Sequence, residues 1–134
     1  MSGNGFGVGR SASVAKTITE ADILLFAAVS TDTNPVHLDA EAAKASPFGE
    51  RIAHGMLSAG LISAVLGTKL PGPGTIYLGQ TLKFRAPVRI GDTVTATAEV
   101  SAYDPGKRRA TLRTTCTVGG VVVIEGEATV LVPA

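Results

Sequence analysis

The stretch His54-Gly55-Met56-Leu57-Ser58-Ala59-Gly60-Leu61-Ile62-Ser63-Ala64-Val65-Leu66 decides the fold. Read at helical spacing, its Met, Leu, Ile, Val and Ala side chains leave almost no polar face. A helix that is apolar all round has to be buried on every side. At a rise of ~1.5 Å per residue it is about 20 Å long, enough to cross a small domain but short of a bilayer. Gly67 and the run Pro71-Gly72-Pro73-Gly74 end it firmly.

Beyond Gly74 the apolar period changes from the helical one to two. Ile76, Leu78, Leu82 and Phe84 alternate with polar or small residues. Val94, Ala96, Ala98, Val100 and Ala102 follow, then Ala110, Leu112, Thr114, Cys116 and Val118, and last Val122, Ile124, Ala128, Val130 and Val132. The separators are turn chemistry: residues 87–92, Asp104-Pro105-Gly106-Lys107, and the pair Gly119-Gly120. This is the pattern of an antiparallel meander whose strands each carry one apolar face. A closed barrel would leave the apolar helix nothing to bury against. The expectation is therefore an α+β domain, one antiparallel β-sheet wrapped around a long buried central α-helix. Residues 1–134 form a single unit, with no internal repeat and no second domain.

Upstream, residues 1–10 are Gly-rich and read as a frayed end, and 12–18 as a first strand. Thr19 is placed to cap a helix whose first turn carries Glu20 and Asp22, running to about Asp32. Residues 38–45 suit a short helix stopped at Ser46-Pro47.

Composition excludes several function classes. A net charge of +1 gives no basic surface for nucleic acid, and no apolar run is long enough to span a membrane. The N-terminal segment lacks an apolar signal core, so a cytoplasmic location is expected. A single cysteine, Cys116, rules out an internal disulfide and any cysteine-based zinc site; at its strand position it reads as a buried small hydrophobe.

The segment Asp32-Thr33-Asn34-Pro35-Val36-His37-Leu38-Asp39 gathers an acid, an amide and an imidazole beside a backbone break imposed by Pro35. A turn there can bring His37 back to Asp32, with one water held between them. The same residues also make ordinary turn chemistry. A metal centre is not expected, because no second histidine stands at ligand spacing. His54 reads as a helix-start residue held by local hydrogen bonds. Gly55 behind it offers a helix-start amide to an anion or a polarised carbonyl. Ser63 is an isolated hydroxyl in the apolar helix, able to bond back to its own i−4 carbonyl. Lys83, Arg85, Arg89, Lys107, Arg108 and Arg109 dot the strands and turns without marking a site.

Taken together, the segment 28–39 and Ile52-Ala53-His54-Gly55-Met56-Leu57 resemble the MaoC-like hydratases, and among them the short (R)-specific enoyl-CoA hydratases of fatty-acid and polyhydroxyalkanoate metabolism. The likeness continues through residues 70–80, Phe84, Pro87-Val88 and Gly91-Asp92, and covers roughly residues 15–132. It implies the hot-dog fold, a homodimer, an acyl-CoA thioester as substrate and no cofactor beyond the coenzyme A of that substrate. It implies Asp32 and His37 as the catalytic pair, Gly55 as the amide donor to the thioester oxygen, and Asn34 and Ser63 as residues that shape the substrate site. Two other readings stay open here: an acyl-CoA thioesterase of the same fold, and a non-catalytic acyl-binding subunit of a heterodimeric dehydratase.

Overall fold

The structure, a computed structural model, describes residues 6–134. In chain order the elements are β1 (Ser11–Thr17), α1 (Glu20–Ser30), α2 (Pro35–Leu38), α3 (Ala40–Lys44), α4 (Gly55–Thr68), β2 (Ile76–Gln80), β3 (Lys83–Phe84), β4 (Thr93–Asp104), β5 (Arg109–Val118) and β6 (Val121–Leu131). One antiparallel sheet runs in the order β1-β4-β5-β6-β2, with β3 also paired to β6. The helix α4 lies against β4, β1 and β5.

The core follows from small residues on the sheet. Ala96, Ala98, Ala110 and Ala128 are at most 1% exposed, and they leave room for Ile62, Val65 and Leu66 of α4 to seat between Val94, Val100, Leu112 and Val130. Large side chains at those alanines would hold the helix off the sheet and open gaps that close-packed interiors do not tolerate. The long hairpins form where turn chemistry placed them; Gly119 and Gly120 both take positive φ, 55° and 81°, as a two-residue hairpin loop requires.

Several expectations change in three dimensions. The sequence order suggested that β2 would lie beside β4; instead the chain crosses over and β2 joins the far side of β6. The expected alternation slips at two irregularities in the ladder. Between Val100 and Ala102 the register shifts, so Ala102 is exposed and Tyr103 turns half inward. Between Cys116 and Thr117 it shifts again, and Val123 rather than Val122 enters the core. Each extra residue turns the following side chains to the other face.

The helix α4 is not buried all round. Met56, Gly60, Ser63 and Gly67 form an exposed stripe along it, while Ser58, Ala59, Ile62, Val65 and Leu66 face inward. The N-terminal end also differs from expectation. Residues 1–5 lie outside the described residues, but 6–10 are held rather than frayed. Gly9 N–H donates to the Val100 carbonyl at 2.9 Å, Val100 N–H to the Arg10 carbonyl at 2.9 Å, and Phe6 meets Tyr103 edge-on. Thr19 caps α1 as expected, with a reciprocal pair of bonds to Asp22 at 2.8 and 3.2 Å. The short helix read over 38–45 is two helices, because Asp39 breaks out of helical geometry to cap α3.

Candidate active site

The loop after α1 is built from its own polar side chains. The helix ends at Ser30, two residues before the expected stop, with Thr31 after it in left-handed backbone, φ 64°. Ser30 Oγ accepts the Asp32 N–H at 3.1 Å, one Asp32 carboxylate oxygen accepts the Asn34 N–H at 3.2 Å, and Asn34 Oδ1 accepts the Val36 N–H at 3.2 Å. Pro35 then occupies the first position of α2, where a missing N–H costs nothing. Asn34 is thus a loop and cap residue, exposed at the start of α2. The turn returns His37 beside Asp32, as its residue order suggested.

His37 is buried and its ring direction is fixed. Its Nδ1 lies 2.8 Å from the Ile52 carbonyl, an acceptor only, so Nδ1 carries the proton and Nε2 keeps a free lone pair. The His37 carbonyl accepts the Arg51 Nε–H at 2.7 Å, and the Arg51 fork grips Glu20 at 2.6 and 2.9 Å, tying this loop to the start of α1. That ion pair holds the Glu20 carboxyl below its ordinary range.

His54 belongs to this group, which its sequence position did not reveal. Its Nε2 lies 2.9 Å from the carbonyl of Asp32, 22 residues away, and its ring stacks on that of His37 with centroids 3.9 Å apart. The expected local hydrogen bonds at the helix start are not what hold it. A carboxylate oxygen of Asp32 and a ring nitrogen of each histidine lie within 4.8 Å of one another. The second histidine that metal ligation would need is therefore present after all. One nitrogen of each ring, however, is already engaged by a backbone carbonyl, His37 Nδ1 by that of Ile52 and His54 Nε2 by that of Asp32. The geometry suits a bridging water better: two hydrogen bonds of about 2.8 Å span that separation.

A cavity of about 280 Å³ opens against His37, His54, Gly55 and Ser58, walled by Ile52, Phe84, Val88 and Ile124 among others. The exposed Asp32 stands outside its lining. Gly55 is the first residue of α4, and His54 offers the helix no side-chain cap, so the positive helix end is turned to this cavity without an internal anion. Ser63 is not brought here. It lines a separate groove of about 450 Å³ with Met56, Gly60, Tyr77 and Gln80. Five residues after Ser58, it points about 140° away around the helix. Ser58 is the residue the sequence reading passed over: it stands one turn after His54 on the same face, and its buried Oγ has no partner. Arg85 and Arg89, two of the scattered cations, are paired with Glu125 at 2.7 Å and Glu50 at 3.0 Å. No helix among the described residues is long and apolar enough to cross a membrane.

Known proteins agree with this architecture. The model of the MaoC like domain matches residues 4–124. An (R)-specific enoyl-CoA hydratase of Rhodospirillum rubrum is 68% identical over 94% of this chain and 88% of its own. The solved (R)-hydratase from Aeromonas caviae, described as involved in PHA biosynthesis, superposes with a TM-score of 0.93 at 46% identity, over 97% of this chain and 99% of that one. R-hydratase PhaJ1 from Pseudomonas aeruginosa gives a TM-score of 0.90 at 51% identity, over 96% and 83%.

Proposed function

Because the chain belongs to the MaoC-like domain family and has its hot-dog fold, we propose that it is an (R)-specific enoyl-CoA hydratase in which Asp32 and His37 hold the water that adds. The activity is that of a hydro-lyase, the conversion of a 2-enoyl-CoA to the (R)-3-hydroxyacyl-CoA, as in the relatives at 68% and 47% identity. The observation that carries the residue assignment is the carboxylate and imidazole nitrogen within 4.8 Å of each other, next to the start of α4.

In this reading, one water is gripped between the Asp32 carboxylate and His37 Nε2. The water oxygen attacks C3 of the enoyl thioester as its proton passes to the pair, and a proton returns to C2 from the same side. The two groups share that one solvent molecule. Negative charge grows on the thioester oxygen, and the Gly55 N–H, backed by the helix dipole, stabilises it. Removing one such donor typically costs about 3–4 kcal/mol. The thioester itself acidifies C2, so the reading calls for no cofactor and no metal.

The same reading includes a homodimer in the cytoplasm, serving fatty-acid or polyhydroxyalkanoate metabolism. Support for the dimer comes from the outer side of β2 and the open stripe of α4: Met56, Ile76, Tyr77 and Leu78 are each at least 40% exposed around an edge strand. Unpaired edges with apolar side chains invite a second copy.

The test follows the ultraviolet absorbance of crotonyl-CoA, which falls when its double bond is hydrated. Asp32→Asn and His37→Ala should each slow the reaction by about 10²–10⁴-fold while the protein stays folded. Wild-type rates in both variants would remove the assignment. Release of free coenzyme A thiol would instead mark a thioesterase, and a chain inert until a second protein is added would mark a non-catalytic subunit.

A further inference from the structure

We propose that His54 is a positioning residue that holds both members of the pair, fixing the Asp32 backbone through its Nε2–H and the His37 ring through its own ring face. The inference rests on the assignment of Asp32 and His37 and adds the element that sets them relative to the Gly55 amide.

Without His54, each member of the pair lacks one restraint. The Nδ1 bond of His37 to the Ile52 carbonyl fixes one nitrogen, and the Arg51 bond fixes the His37 backbone. Neither stops the imidazole from tilting about the Nδ1···O line. A ring stacked 3.9 Å away, 28° from parallel, does stop it. For Asp32, Ser30 holds the N–H and Asn34 one carboxylate oxygen; the carbonyl is held by His54 Nε2 at 2.9 Å. The ring that makes both contacts is itself held, 2% exposed and against Phe26 of α1 with centroids 4.8 Å apart.

Protonation follows from the partners. A carbonyl only accepts, so His54 Nε2 carries the hydrogen. Its Nδ1 is buried without a partner, and a proton there would be a buried donor with nothing to receive it. His54 is therefore the Nε2–H tautomer, a donor on one side and a flat neutral surface on the other.

His54 is also the residue immediately before Gly55. The donor for the thioester oxygen and the residue that orders the water-holding pair are one peptide apart, at the start of one rigid helix. Displacing either member by about 1 Å can cost on the order of 10²-fold in rate.

Two substitutions separate the two contacts. His54→Gln keeps an N–H able to reach the Asp32 carbonyl but has no ring; His54→Phe keeps the ring and loses the donor. Measured with crotonyl-CoA, His54→Ala should lose about 10²-fold in kcat with KM little changed. Gln and Phe should each recover part of that loss and neither all of it. A folded His54→Ala with wild-type kcat, or a loss confined to KM, overturns the inference. Because His54 is buried, the unmodified protein supplies a second measurement. Long-range proton–nitrogen spectra should show His54 protonated on Nε2 and His37 on Nδ1, and a proton on His54 Nδ1 overturns it. Asp32→Asn and His37→Ala are measured alongside. If they too keep wild-type kcat, the pair itself is misassigned; if they alone fail, only the role of His54 falls.

Discussion

Phe84 packs against Gly55: a Cβ placed on that glycine would sit 2.5 Å from Phe84 Cε1 and 2.6 Å from Cδ1. The first amide of α4 is thus flanked by an aromatic ring that also walls the cavity. Gly55→Ala should destabilise the fold toward the low end of the ~1–3 kcal/mol typical of overpacking, since Phe84 is half exposed and can swing aside. Hydration should fall by up to about 10²-fold as the methyl crowds the oxyanion donor. Adding Phe84→Ala should restore the melting temperature and leave the rate low. Full activity in Gly55→Ala would contradict the crowding expected at that amide.

Gly126 presents a harder constraint. A Cβ there would fall onto the carbonyl oxygen of Thr81, in the link between β2 and β3 that folds over β6. Here the obstacle is backbone, which cannot turn away as a side chain can. Gly126→Ala should cost more than about 3 kcal/mol, among the largest effects of a single substitution. Urea unfolding measures it, and an unchanged midpoint would be inconsistent with the packing described.

Acid should weaken the anchorage of α1. The Thr19 N–H and the Lys16 ammonium, 3.0 Å away, hold the Asp22 carboxyl below its ordinary value. A carboxyl whose folded value is depressed stabilises the protein above its unfolded value, and the gain is lost as pH falls through the folded one. Asp22→Ala should therefore cost about 0.3–1 kcal/mol at pH 7, the usual worth of a carboxylate in a helix's first turn. That difference should shrink as pH drops below about 4. A gap that persists at the lowest pH where the protein still folds would point to packing instead.

Cys116 should be inert in the folded protein. Burial raises its thiol to about 11, and its S–H faces the Ser58 carbonyl at 3.6 Å. At pH 8 almost no thiolate forms, so a disulfide reagent should modify it only as the chain opens. The labelling rate should climb with urea in step with unfolding. Prompt labelling without denaturant would count against the buried placement.

Much of the site was legible because its signals are local. Asp32, Asn34, Pro35 and His37 interact across two to five residues, so their turn can be read from their order alone. Thr19 and Asp22 announce a helix start in the same way. Where Ser63 points was not legible, because the direction of a hydroxyl in an apolar helix depends on which face of α4 meets the sheet. His54 and Ser58, one turn apart, carried a joint signal in their spacing. It became meaningful only when the loop holding Asp32 and His37 was known to pack against them.

The chain's own order determined α4, the three long strands with their turns, and the kinked acid–histidine loop, because each depends on periodicity or on bonds between near neighbours. Packing decided the rest. It carried β2 across to β6, reversed the facing of Ala102 and Val122 at two ladder irregularities, left a stripe of α4 open, and stacked His54 on His37. Periodicity reports a residue's face only until an extra residue enters the ladder. Contacts between segments far apart in sequence are chosen by how the whole core fills.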